Sequence, residues 1–180
     1  MKNVKKRDDK KMSKSKPETI HGSLTDLSHH DAAICMLVEL TNIIIDELSD
    51  TDAVFPVELH FVKPNRHKYI LETKSATNEP LALDSLFYSS EKTAYFDKRL
   101  DILQDCTRIK PFNQKWNKAR LIIHDDQRYI FQYKFDRDIH AAYSVMQGQQ
   151  ELKHLDEETF KKIRTWEGLS NNHPRPWLSS

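Results

Sequence analysis

Residues 116–136, WNKARLIIHDDQRYIFQYKFD, constrain the fold more than any other stretch of the chain. The runs 120–124 (RLIIH) and 128–135 (RYIFQYKF) are rich in β-branched and aromatic residues, and Asp125, Asp126 and Gln127 form a short polar break between them. That is the composition of a β-hairpin. In the second run Tyr129, Phe131, Tyr133 and Phe135 share one face of the pleat, while Ile130, Gln132, Lys134 and Asp136 share the other. A face of aromatics has to be covered, so amphipathic helices are expected against it.

The flanking segments supply them. Ile34, Leu37, Val38, Thr41, Ile44, Ile45 and Leu48 recur at helical spacing, with Ser28 as the expected cap and Asp31 in the first turn. His29 and His30 at its start point about 100° apart on a helix, a poor arrangement for sharing a metal. A second hairpin follows, in which Phe55, Val57, Leu59 and Phe61 alternate with Pro56, Glu58, His60 and Val62. Pro56 cannot donate to a ladder, so this strand starts late or lies at an edge. A turn is expected at Lys63-Pro64-Asn65, with Lys68–Thr73 returning, and His60 and His67 are expected to face solvent. Leu83–Cys106 reads as a helical region, broken at Ser89-Ser90, with a stripe of Phe96, Leu100 and Leu103.

Past the central hairpin, Asp138 is the expected cap of a short helix over Ile139–Gln147. Asp156 caps the last helix, with Leu155 and Phe160 in the staple positions and Gly168-Leu169 as a Schellman ending. The order α β β α β β α α predicts an α+β fold. An antiparallel sheet built from two hairpins packs against N-terminal, middle and C-terminal helices.

A chain of 180 residues is most simply one domain, expected over 25–169, with a disordered basic tail at 1–24 and a C-terminal tail at 170–180 in which Trp177 is free to dock. Of the 28 basic and 27 acidic side chains, residues 1–16 hold eight and two, leaving 20 and 25 (net −5) for the body. Met12, followed by SKSKPE, is a candidate start within the basic run. The N-terminus lacks an apolar signal region and no stretch of about 18 apolar residues occurs, so a cytoplasmic protein without a membrane span is expected. Cys35 and Cys106 each fall in an apolar helical pattern and read as buried thiols in a reducing compartment.

Motifs for chemistry are sparse. The nine histidines form no HExxH or zinc-spaced Cys/His set. His124-Asp125-Asp126 is the nearest approach to a metal site, although aspartates also suit a hairpin turn. Cys35 with a distant histidine is a weaker nucleophile pair than a structural thiol. No GxSxG, Walker or dinucleotide motif is present, so no enzyme, cofactor, metal or catalytic residue is predicted.

Acidic side chains remain. Asp125, Asp126, Asp136 and Asp138 bracket one strand, and Asp156, Glu157 and Glu158 start the last helix. They read either as a solvated surface or as a patch that meets a basic partner. A mildly acidic body is not suited to direct nucleic-acid binding, which needs clustered Lys and Arg.

The run LIIHDDQRYIFQYKFD, preceded by Trp116 and followed after a gap by KKIRTWEG, resembles the YezG-like family of bacterial immunity proteins. There a tryptophan leads into an apolar strand, a polar turn and a strand of alternating aromatics that ends on an acidic residue. The resemblance extends over Leu27 to Leu169 and is carried by residues 116–136; the Asp138–Gln150 segment and the basic tail depart from it. It implies a small cytoplasmic protein that binds and neutralises the C-terminal domain of a cognate toxin, often a nuclease, in interbacterial competition, including contact-dependent growth inhibition. The alternative is a non-catalytic regulatory or scaffold module with another protein partner. The sequence leaves the oligomeric state open.

Overall fold

The computed structural model describes residues 16–178 apart from 26–30, 50, 52, 66–67, 78–89, 111–112 and 148–154. Five strands form one antiparallel sheet: β1 (Glu18–Ser23), β2 (Val57–Asn65), β3 (Lys68–Lys74), β4 (Lys118–Ile123) and β5 (Arg128–Lys134). Their order across the sheet is β1-β5-β4-β2-β3. The described helices are α1 (Ala32–Leu48), α2 (Ser90–Cys106), α3 (Arg137–Gln147) and α4 (Glu157–Arg164), with a 3₁₀ turn at Pro176–Leu178. The α+β class, the two hairpins and the helices at the N-terminal, middle and C-terminal positions are as expected.

The central hairpin sets the core. Tyr129, Phe131 and Tyr133 are buried on one face of β5, beside Ala119, Leu121 and Ile123 of β4 and Val57, Leu59 and Phe61 of β2. Leu37, Leu40, Ile44 and Leu48 of α1 and Phe96, Leu100 and Leu103 of α2 close over this face. Glu39 pairs with Arg99 and Glu47 with Lys92, so the two helices run antiparallel. Trp116 is fully buried at the head of β4: its indole N–H donates to the Thr107 hydroxyl at 2.9 Å, and its ring meets Phe131 edge-on at 5.9 Å.

The polar break folds as expected. Gln127 N–H donates to the His124 carbonyl (3.2 Å) and His124 N–H to the Arg128 carbonyl (2.9 Å). Gln127 takes the left-handed conformation (φ 64°) that lets so short a loop match the strand twist.

Several sequence expectations are corrected. Residues 18–23, read as part of a disordered tail, form the edge strand β1, in register with β5 from Glu18↔Tyr133 to Ser23↔Arg128. This strand adds little apolar area, only Ile20 and the following Leu24, so no alternation of hydrophobics announces it. Close packing at Gly22 holds it down: a Cβ there would sit 2.3 Å from Cζ of Tyr129. The other part of that tail, residues 1–15, lies outside the described residues, as does His67.

The cap of α1 is Asp31, whose carboxylate accepts the Ala33 N–H at 2.7 Å; Ser28 lies outside the described residues. Strand β2 does start late, at Val57, but it is interior, and it continues through Lys63-Pro64-Asn65, with its register shifting between Val62 and Asn65. A proline is tolerated there because a bulge relieves the ladder. Cys35 and Cys106 are both exposed, since each sits beside the buried stripe of its helix and not on it.

Helix α4 ends at Arg164, and Gly168 (φ 64°) belongs to a separate turn in which its N–H donates to the Thr165 carbonyl. The expected C-terminal tail is partly packed. Trp177 docks on a second cluster with Val62, Ile139, Ala142, Ile163 and Leu169, and Arg175 holds Asp138 through Nε at 2.9 and 3.0 Å.

Candidate binding surface

The sheet has a second face, and among the described residues only one end of it is covered. At that end α3, α4 and the C-terminal segment pack over Val62 and Lys118. The Lys118 amine is 1% exposed and donates to the Ile163 carbonyl (2.7 Å), the Thr165 carbonyl (2.8 Å) and an Asp136 carboxylate oxygen (2.8 Å). Trp166 marks the boundary. Its ring lies 4.3 Å from the Lys134 amine and 4.7 Å from the Arg120 guanidinium, and His60 meets it edge-on at 6.5 Å.

Past Trp166 a polar ladder crosses four strands. Gln132 of β5 donates to the Thr19 hydroxyl of β1 at 3.3 Å and accepts from Arg120 Nε of β4 at 2.6 Å. Arg120 Nη1 donates to Glu58 of β2 at 3.2 Å, and Glu58 pairs with His60 at 2.5 Å. His60 is therefore tied to the sheet, with 14% of its side chain exposed, and is not the solvent-facing residue expected. The next row, His21, Ile130, Ile122 and Glu58, is set by the same register. Among the described residues no helix covers these two rows, and the hairpin turn 124–127 borders them.

The Glu58 carboxyl is held below the ordinary glutamate range, chiefly by its hydrogen bond with His60; burial opposes this and the charges of His60 and Arg120 assist it. A depressed carboxylate stabilises the folded state above its unfolded pKa, and that contribution is lost as pH falls through the lower folded value. Glu58→Gln is therefore expected to flatten the acid limb of melting temperature against pH below about 4.3, the unperturbed glutamate value. Melts taken from neutral pH downwards check this, and an acid limb as steep as that of the wild type would show that Glu58 contributes nothing to it.

The seven acidic residues picked from sequence divide into two groups. Asp136 and Asp138 are structural. Asp136 binds Lys118 and caps α3, accepting the Asp138 N–H (2.9 Å) and the Ile139 N–H (3.3 Å), which corrects the expected cap at Asp138. Asp138 is buried and accepts from Arg175 and from the Trp177 indole N–H. Neither is an open charge, because in both cases a cation distant in sequence neutralises it.

The others remain at the surface. Asp125 and Asp126 lie exposed in the hairpin turn, Asp126 paired with Arg128 at 2.6 Å. Asp156 caps α4 through Thr159, its carboxyl held below the ordinary range mainly by the Thr159 N–H, and exposed Glu157 pairs with Lys161. The Glu158 side chain is exposed beside them. The structure thus does not gather the seven into one patch.

Arg120, Gln132 and Glu58 were overlooked as a group. Their signal was available in the alternation, since Gln132 and Lys134 were already assigned to the face opposite the aromatics. Among the described residues no group of three or more His, Cys, Asp or Glu could hold a metal ion, His124-Asp125-Asp126 included, and no helix is long and apolar enough to cross a membrane. Comparison with family models, curated proteins and solved structures gives no match.

Proposed function

We propose that the protein is a cytoplasmic immunity protein, which binds the C-terminal domain of a cognate toxin of the nuclease class and neutralises it by stoichiometric occlusion. The observation that supports this reading is the half-covered second face of the sheet. It offers a pre-ordered array of Arg120, Gln132, Glu58 and Thr19 beside Ile122 and Ile130, bordered by the acidic turn at Asp125 and Asp126. A surface whose polar groups are already held in place loses little side-chain entropy on binding. The role needs recognition and no bond-making.

Electrostatics refine the contact. A toxin that holds phosphates is basic where it does so. The acidic body of this chain, and the turn in particular, would speed its approach. Asp125→Lys with Asp126→Lys is expected to slow association several-fold and to weaken its salt dependence, with only a small loss of stability from the exposed contacts of Asp126 with Arg128. Glu157→Lys with Glu158→Lys is the comparison set. On-rates for both sets decide between the two surfaces, and unchanged kinetics in the first removes the turn from the interface.

Co-expression tests the function itself. Growth rescue from the cognate toxin domain, with a one-to-one complex, is the expected result. Arrest despite full expression of the protein would overturn it.

A further inference from the structure

We propose that the outer edge of β1 is a self-association site, where a second copy of this chain adds antiparallel so that two five-stranded sheets run on as one. The direction of the backbone groups carries the argument. Leu24 N–H donates to the Gln127 carbonyl at 3.1 Å, in the same register that pairs Glu18 with Tyr133 and Gly22 with Tyr129. Hydrogen-bonded and non-bonded pairs alternate along an antiparallel ladder. Glu18, Ile20 and Gly22 therefore turn their amides towards β5, and Thr19, His21 and Ser23 turn theirs outward. Among the described residues nothing takes up those outward groups on the main chain.

The outward set is self-complementary. A two-fold axis at His21 places Thr19 opposite Ser23 of the copy and His21 opposite His21, so that each pair exchanges both of its main-chain bonds. On the core side Ile20 then meets Gly22 of the copy, which has no side chain to crowd it.

Charge permits a second copy at this edge and restricts its register at the other. Pairing β1 with itself sets no charged residue opposite a like charge. Strand β3 differs. Lys63 N–H donates to the Asn117 carbonyl, so odd-numbered residues of β2 face β4 and Glu58, His60 and Val62 face β3, opposite Lys74, Glu72 and Ile70. The outward residues of β3 are then Tyr69, Leu71 and Thr73, and a two-fold axis at Leu71 would set Lys68 opposite Lys74 of the copy. Lysines placed this way disfavour that register.

Antiparallel pairing of β1 also holds the two basic N-terminal runs apart. At 3.4 Å per residue the two Lys16 positions are separated by about 34 Å, well past the screening length of about 10 Å. A strand pair of this length buries less than the roughly 1,200 Å² of a stable interface. The dimer is accordingly weak and concentration-dependent.

Sedimentation equilibrium of the full chain from about 5 to 500 μM, a range bracketing micromolar affinities, should show a reversible monomer–dimer equilibrium. On the main chain His21→Pro removes only an outward N–H and leaves the ladder to β5 intact; relative to His21→Ala, which also lacks the imidazole but keeps the N–H, it should weaken dimerisation at least tenfold with an unchanged circular dichroism spectrum. A chain that stays monomeric throughout the range overturns the proposal.

Register is tested separately, in a Cys35→Ser, Cys106→Ser background. His21→Cys should form a disulfide-linked dimer on mild oxidation, since opposed Cα atoms about 5.5 Å apart are within reach of a disulfide. Thr19→Cys, which faces Ser23 of the copy, should not. Equal cross-linking of the two variants, or of neither, overturns the two-fold at His21. So does loss of toxin binding in His21→Pro without any dimer in the parent, which would assign the edge to the toxin.

Discussion

Lys118→Met is expected to lower the unfolding free energy by about 3–5 kcal/mol, the usual cost of removing one partner from a buried ion pair. The amine is the common tie of three elements: it reaches the last carbonyl groups of α4 and the turn after it, and the carboxylate that caps α3. Methionine keeps most of the apolar stem but leaves Asp136 charged with 12% of its side chain exposed, and two carbonyls without their donor. Urea unfolding gives the measurement. Adding Asp136→Asn should recover part of the loss, because an amide can still cap α3 and leaves no unpaired charge. A loss under about 1 kcal/mol, typical of an exposed pair, would show that the amine does not join these elements.

Phe131→Ala is expected to cost about 3–5 kcal/mol, the scale for deleting a buried aromatic ring. The ring is 1% exposed, stacked on Tyr133 at 5.5 Å and edge-on to Trp116. It lies in the core cluster where the central hairpin meets α1 and α2. Tyr133, 8% exposed at the Glu18 end of the ladder, should cost less on the same truncation. A near-neutral Phe131→Ala would reverse the assignment of faces, since a one-residue slip in register moves every side chain to the other side.

The two faces of the sheet were not equally legible. Alternation in RYIFQYKF, the stripes Leu37–Ile44–Leu48 and Phe96–Leu100–Leu103, and the cap at Asp156 are local signals, and each gave an element and the side it buries. The second face depends on partners far apart in sequence. Lys118 with the Ile163 carbonyl, Asp138 with Arg175 and Gln132 with Thr19 are separated by 45, 37 and 113 residues, and no local pattern announces such pairs.

For that reason Asp136 and Asp138 read as open charges when they are ties within the fold. Strand β1 was missed for a related cause: its residues earn their place by backbone pairing and by the Gly22–Tyr129 contact, not by apolar periodicity. The candidate surface was half visible, since the turn acids could be found from sequence but the ladder beside them required the strand order.

Titration of the purified protein with the C-terminal domain of the toxin proposed as its partner, followed by light scattering, tests most directly whether this chain acts by occluding a protein partner. The account predicts one-to-one binding with Kd at or below about 100 nM, some −9.5 kcal/mol or tighter. It also predicts affinity lowered by Arg120→Ala, which unties Gln132 and Glu58 at the middle of the polar ladder. Absence of any complex at about 10 μM of each component, a standard free energy weaker than roughly −7 kcal/mol, would contradict it.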